Sequence, residues 1–458
     1  MNVTPCLDFM KKLKIEEDEL KFIHPEALEN HLKNYELAPD IICHKIGKSR
    51  EGRNITALEI GRGGRQIFAV AGAHADEPTG TVALLNFADK LTTLENTEIL
   101  NSFTFHFIPM LDPDGIVLNW KWLKNPFNFK EMALHSFRNN DPEEDLEHCI
   151  PVLDKQRIRP EARAFKNYID SIKGIHSYTT LHNLHLSGGP LFILHASVAE
   201  HREYLIQVIT RACREHNLSL LDFDLYGQKG INRLARGFLT PPFVKDMFNI
   251  YKGQKEVTDR IKMTTYQYAA EFCGAKISLI TEVPLFISEE LTNSDKTCIS
   301  RYDLELEILR QSELMLESFT KAWNELNKFP ISKETQNWVP YYENLFDLAA
   351  SKIDAGYRDA DRFKGFYAKM NEIFELLIGK IEERLKIGVM GMRRLASLND
   401  PKSLREQQHY RCLFEEAFEK YAKQLDYKPV RLADIINLQI TAVIAGACAN
   451  DIGLEESI

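Results

Sequence analysis

Gln66-Ile67-Phe68-Ala69-Val70-Ala71-Gly72-Ala73-His74-Ala75-Asp76-Glu77-Pro78-Thr79-Gly80 decides the fold. Ile67 to Ala71 is apolar without a break, the pattern of a strand buried on both faces, and Gly72 and Ala73 stop it. Pro78 suits the first turn of a helix, where a missing N–H is no loss, and Thr81 to Leu91 repeats apolar residues at helical spacing. His74 and Glu77 therefore lie on the loop at the carboxyl end of a buried strand, where open α/β sheets bind ligands. Imidazole and carboxylate are ordinary zinc ligands, and a catalytic zinc takes three protein ligands and leaves one position open. Taken alone, the pair also fits a structural loop histidine beside a glutamate that favours a helix N-terminus.

Working outward, Ile41 to His44 and Ile55 to Ile60 read as strands flanking a Gly47 to Arg53 loop,. Phe103 to Pro109 is another β-rich run, and Met110-Leu111-Asp112-Pro113-Asp114-Gly115 has turn chemistry,. Pro160 opens a helix that precedes the strand Tyr178 to His185, while Ala275 to Pro284 reads as a late buried strand,. His106, between Phe105 and Phe107, reads as structural. Gly227 to Pro242 reads as loop, and Trp120 to His148 as a long irregular segment,.

Several of these stretches carry a resemblance. The strand ending in His-x-x-Glu resembles the first metal motif of the carboxypeptidase A-like zinc peptidases. Gly47-Lys48-Ser49-Arg50-Glu51-Gly52-Arg53-Asn54-Ile55 is similar to the G-x-S-x-x-G-R-x-I that precedes it there. The stretch from Pro109 to Gly115 resembles the family's P-x-x-N-P-D-G, with Asp112 in place of Asn. The resemblance implies zinc held by His74, Glu77 and His182, with His176 and His185 as rivals for the third position. Thr281-Glu282-Val283-Pro284 resembles the motif that carries the catalytic glutamate, which makes Glu282 the general base. Phe137-Arg138-Asn139 stands where the family has Asn-Arg-Asn, so Arg138 with Asn139 would bind the substrate's terminal carboxylate. Gly115 to Phe137 holds no arginine to match the family's oxyanion-stabilising one. Arg233 and Arg236 are further pocket candidates.

The fold expected is α/β, with a mixed, mostly parallel central sheet flanked by helices and an appended C-terminal all-α domain. Residues 1–328 would be the catalytic domain. The β-rich runs vanish after Phe329-Pro330-Ile331, so 329–458 reads as a bundle of helices of unknown role, with an apolar stripe from Phe363 to Leu385,. The chain has 458 residues and a net charge of −9, which argues against a general nucleic-acid or anionic-membrane binder,. Neither a signal-peptide core near Met1 nor a run of membrane-spanning length is evident. The 8 cysteines are scattered without a C-x-x-C pair, as expected of free thiols in a reducing compartment, so a cytoplasmic location is expected,.

The function expected is a zinc carboxypeptidase, one zinc per chain, acting on the C-terminal amide of a peptide or modified peptide. Two alternatives stand beside it. One is a zinc amide hydrolase of small N-acyl amino acids, because the Leu181-His182-Asn183 triplet also resembles that of aspartoacylase-like relatives. The other is a non-catalytic zinc-binding module whose C-terminal helices contact a partner or a second copy.

Overall fold

The computed structural model describes residues 12–16, 22–93, 97–128, 131–132, 145–153, 157–221, 231–253, 261–288 and 427–449, with residues 9, 20 and 258 between them. In chain order the elements are α1 (Pro25–Lys33), β1 (Ile41–Lys48), β2 (Asn54–Gly61), β3 (Arg65–Ala71), α2 (Thr79–Thr93), α3 (Thr97–Ser102), β4 (Phe103–Ile108) and α4 (Pro113–Leu123). Then come β5 (Ile150–Pro151), α5 (Pro160–Ser171), β6 (Ile175–Ser187), β7 (Leu191–Leu194), α6 (Arg202–Glu215), β8 (Asn232–Ala235) and β9 (Phe238–Thr240). The rest are α7 (Val244–Ile250), β10 (Lys262–Met263), α8 (Thr265–Glu271), β11 (Ile277–Ser288), β12 (Tyr427–Pro429) and α9 (Leu432–Cys448).

The main sheet runs β1-β2-β4-β3-β6-β11-β7-β9-β8, and β12 pairs with β11. Its centre, β4-β3-β6-β11, is parallel throughout. The margins are mostly antiparallel: β1 with β2, β2 with β4, β7 with β11 and β8 with β9. The run Ile67 to Ala71 is fully buried, as its uninterrupted apolar character requires,. Register then places the strand ends. Ala71 pairs with Leu181, and Glu282 pairs with His182. Gly80 lets α2 start hard against this centre, because a Cβ there would lie 2.9 Å from that of Ala71 and 2.8 Å from that of Leu181,.

Apolar residues fill both faces. On one face α2 packs on β3 and β6, α9 on β3, β6 and β11, and α6 on α9; on the other α5 packs on β1 and α8 on β6 and β11, with Leu146, Cys149 and Ile150 in the same apolar cluster. The two matching motifs beside β2 and β4 clasp each other. Asp114 Oδ1 accepts from Ser49 Oγ at 2.7 Å and from Arg53 Nη1 at 2.6 Å, while Oδ2 accepts from Glu51 N–H at 2.9 Å. Their spacing in the sequence is thus explained by one buried carboxylate.

Two expectations change, and one further element finds its place. Met110 to Gly115 is not a free turn: Asp112 caps α4, accepting from Gly115 N–H at 3.0 Å, and Pro113 is its first residue, so the helix continues through Trp120,. Gly227 to Pro242 is not all loop, since β8 and β9 form a hairpin that turns at Gly237, whose φ of 72° suits glycine,. Residues 427–449, the described part of the expected C-terminal unit, pack on the main sheet. Helix α9 is buried from Leu432 to Ala447 apart from half-buried Asp434, and a helix apolar on nearly every side must be covered all round,. It lies on β6 and β11, and Asn437 also holds the backbone of Ile15, donating to its carbonyl at 2.9 Å and accepting from its N–H at 2.9 Å. The stripe from Phe363 to Leu385 lies outside the described residues. Among the described residues no helix is long and apolar enough to cross a membrane.

Candidate metal centre

Three parallel strands deliver the site. The loop after β3 turns on a Glu77 N–H to His74 carbonyl bond of 3.1 Å, which brings both side chains to one side. His182 arrives from β6, and Glu282 lies beside it on β11 with its Cβ on the same face,. The candidate ligand atoms of His74, Glu77 and His182 all lie within 4.8 Å of one another. His182 Nδ1 is 2.7 Å from Glu77 Oε2 and 3.1 Å from His74 Nδ1, and His74 Nδ1 is 3.0 Å from Glu77 Oε1. Donors on a tetrahedral zinc with bonds of about 2.0 Å stand roughly 3.3 Å apart, so the cluster is of the right size.

The hydrogen bonds behind the rings say which atoms face inward. His74 Nε2 is 3.1 Å from Asp145 Oδ1, and His182 Nε2 is 3.2 Å from Glu147 Oε2 and 2.9 Å from Thr180 Oγ1. Each Nε2 faces a carboxylate that can only accept, and both Nδ1 atoms face Glu77, so with a metal on the Nδ1 side each Nε2 keeps its proton and each Nδ1 turns its lone pair to the centre,. Two imidazole lone pairs and the Glu77 carboxylate then converge on one point, an arrangement that repels itself unless a cation sits there. The donor set therefore fits a divalent metal. Without one, a proton serves. Burial alone would lower the affinity of His182 for it, but the charge of Glu77 and the hydrogen bonds to Glu147 and Glu77 outweigh that and hold His182 well above the ordinary imidazole range. Asp145 is displaced well below the carboxylate range: burial opposes this, and hydrogen bonds from His148 and His74 overcome it.

The ligand strand is braced from its other face. Asn183 Oδ1 accepts from Thr79 N–H at 3.1 Å and from Thr79 Oγ1 at 2.8 Å, its Nδ2 donates to Val283 carbonyl at 2.9 Å, and its N–H donates to Glu77 Oε2 at 3.1 Å. Gln439 of α9 donates to the His182 carbonyl at 3.2 Å. Asp145, Glu147 and Gln439 carry no motif in the sequence, and Asn183 enters it only as the neighbour of His182. Asp145 and Glu147 lay in an acidic stretch of the long loop, the one visible signal.

The other candidates fall elsewhere. His176 is buried at the far end of β6, away from the cluster. Arg233 lies on edge strand β8, and Arg236 is exposed and donates to the Leu220 carbonyl at 2.8 Å. His106 is buried between Tyr168 and Gln66 in β4. Arg138 and Asn139 lie outside the described residues.

The profile of the zinc carboxypeptidase family matches residues 28–187. Mouse carboxypeptidase M is 32% identical over 113 residues, which cover 21% of this chain and 25% of that protein. A protein of Ajellomyces capsulatus named inactive metallocarboxypeptidase is 34% identical over 96 residues, 18% of this chain and 16% of that one. Among solved structures, carboxypeptidase A from Helicoverpa armigera aligns over 62% of this chain and 72% of its own, with 14% identity and a TM-score of 0.39. The match thus spans about a quarter or less of the length of these two relatives.

Proposed function

We propose that this chain, whose residues 28–187 belong to the zinc carboxypeptidase family, is a zinc-dependent carboxypeptidase that hydrolyses the C-terminal amide of a peptide or modified peptide. The observation that carries the reading is the convergence of two Nδ1 atoms and one carboxylate, with each Nε2 set against a carboxylate behind it. His74, Glu77 and His182 would hold one zinc per chain. Bound there, zinc supplies a Lewis acid that polarises the amide carbonyl and acidifies water. Glu282, half-buried and level with His182, takes the proton of the attacking water and returns it to the leaving amine,. Arg138, with Asn139, reads the terminal carboxylate through the two-pronged guanidinium contact that a lysine does not offer.

The test has two parts. Metal analysis should find one zinc per chain, with hydrolysis of a peptide panel abolished by chelation. Glu282→Gln should retain the zinc and slow turnover by about 10²-fold or more, the usual cost of losing a general base. The second reading, a zinc-binding module without catalysis, is favoured by the relative named inactive. It prevails if the zinc-loaded chain cleaves no member of the panel. Within the first reading, Arg138→Ala should lose the preference for a free C-terminal acid over its amide.

A further inference from the structure

Glu147, at the end of the long irregular segment Trp120 to His148, is 2% exposed. It is firmly held. Thr265 Oγ1 donates to both carboxylate oxygens at 2.8 Å, Thr180 Oγ1 lies 3.3 Å from Oε2, and the Thr265 N–H donates to the Glu147 carbonyl at 2.9 Å. The short β5–β10 ladder, pairing Ile150 with Met263, pins the same loop immediately downstream. Among the described residues its ion-pair partner is His182 alone, at 3.2 Å. A buried carboxylate without a full counter-charge is costly. Here the missing charge lies one imidazole away, because a metal on Nδ1 makes the Nε2–H a stronger donor and the ring cationic in effect. Asp145 does the corresponding job for His74 from a more open position, where it is shared with His148.

We propose that Glu147 is a positioning residue: it accepts the Nε2–H of His182, fixes the ring with Nδ1 facing His74 and Glu77, and thereby tightens metal binding. This rests on the metal reading given above and assigns Glu147 no contact with substrate. The carboxylate acts through the ligand, as outer carboxylates do where they orient and enrich a metal-bound imidazole.

The experiment is zinc affinity by competition with a chromophoric chelator, on the full chain, for wild type, Glu147→Gln and Thr265→Val. Cobalt absorption spectra and melting curves of the metal-free forms accompany it. Glu147→Gln keeps the shape and loses the charge, so zinc should bind about 10- to 100-fold more weakly, with the cobalt bands shifted and the fold retained. Thr265→Val, which loosens the carboxylate and leaves it in place, should show a smaller loss in the same direction. Should Glu147→Gln fail to fold, ¹⁵N-imidazole NMR of zinc-loaded wild type still decides: the proton of His182 must be on Nε2, in a strong hydrogen bond. A folded Glu147→Gln with wild-type zinc affinity and unchanged cobalt bands overturns the proposal and leaves the metal reading intact. A proton found on Nδ1 overturns both, because it removes that nitrogen as a ligand. Wild type that takes up neither zinc nor cobalt overturns both.

Discussion

His106 and His182 are both imidazoles buried in parallel strands of one sheet, 4% and 1% exposed, and their surroundings drive them in opposite directions. His106 meets neutral groups, Gln66 Oε1 at 2.7 Å and Tyr168 Oη at 3.0 Å, so burial lowers its pKa to about 4 against a weaker upward pull from Glu59. His182 is at least as buried, yet Glu77 and Glu147 reverse the sign. Burial therefore does not distinguish a site histidine from a core one. The difference is made by carboxylates brought in by other elements, one from the loop after β3 and one from the loop before β5.

The largest effect should come from removing the histidine that the carboxylates surround. His182→Ala takes away one of the three proposed ligands and leaves Glu77 and Glu147 buried without the imidazole between them. Zinc content should fall below about a tenth of an equivalent, and the chain should lose about 3–5 kcal/mol in denaturant unfolding, the scale for an uncompensated buried charge. His106→Gln should keep its zinc. If His182→Ala retained the metal, the third ligand would lie elsewhere and the contrast would lose its meaning.

That contrast was only partly legible in the sequence. Strand β3 was visible because burial on both faces forces an uninterrupted apolar run, and the Ser49–Arg53 and Asp114 motifs were visible because their clasp needs fixed residue types. His106, flanked by Phe105 and Phe107, could be read as structural. Glu147 could not be paired with His182, because the two meet only after the chain folds, and an acidic loop residue ordinarily points to water. The place of helix α9 was not legible for a related reason: a long stretch of sequence separates it from β11, although Leu432 to Ala447 is apolar at all but a few positions. Its polar exceptions, Asn437 and Gln439, were unreadable without the backbone of Ile15 and His182 that they hold.

Loss of α9 tests the bracing of His182 by the opposite face of β6. A chain ended at residue 328 would uncover the apolar face of β6 and β11 and leave Thr79 Oγ1 and the His182 carbonyl without Gln439. It should be recovered unfolded or insoluble. A soluble, zinc-binding product would show that this face stabilises itself.

Acid should next separate the two histidines by stability. The unfolded chain protonates His106 near pH 6.5, whereas the folded one resists until about 4,. Its contribution is thus fully present above 6.5 and is lost as pH falls towards 4, by about 3 kcal/mol in all. His106→Gln should unfold with a shallower acid limb by about that amount between pH 7 and 4. Equal limbs in the two proteins would place the acid sensitivity in the carboxylates instead.

The smallest effect is the most direct on the contrast itself: giving His106 a carboxylate. Gln66→Glu keeps the side-chain length and replaces the neutral oxygen 2.7 Å from Nε2 with a charged one. An adjacent carboxylate favours the imidazolium by about 1–3 pKa units, so His106 should titrate between about 5 and 7. Imidazole NMR across pH 4 to 8 reads this directly. The substitution also forfeits the amide's donations to the Gly63 and Gly64 carbonyls, at 3.2 and 3.4 Å, for about 1 kcal/mol at neutral pH,. The pKa is the cleaner readout, since a bond lost on the far side of residue 66 does not move it upward. If His106 still titrated near 4, burial rather than partner charge would be setting the protonation of strand histidines in this sheet. The opposite state of His182 would then have to arise from the geometry of β6 and not from Glu77 and Glu147.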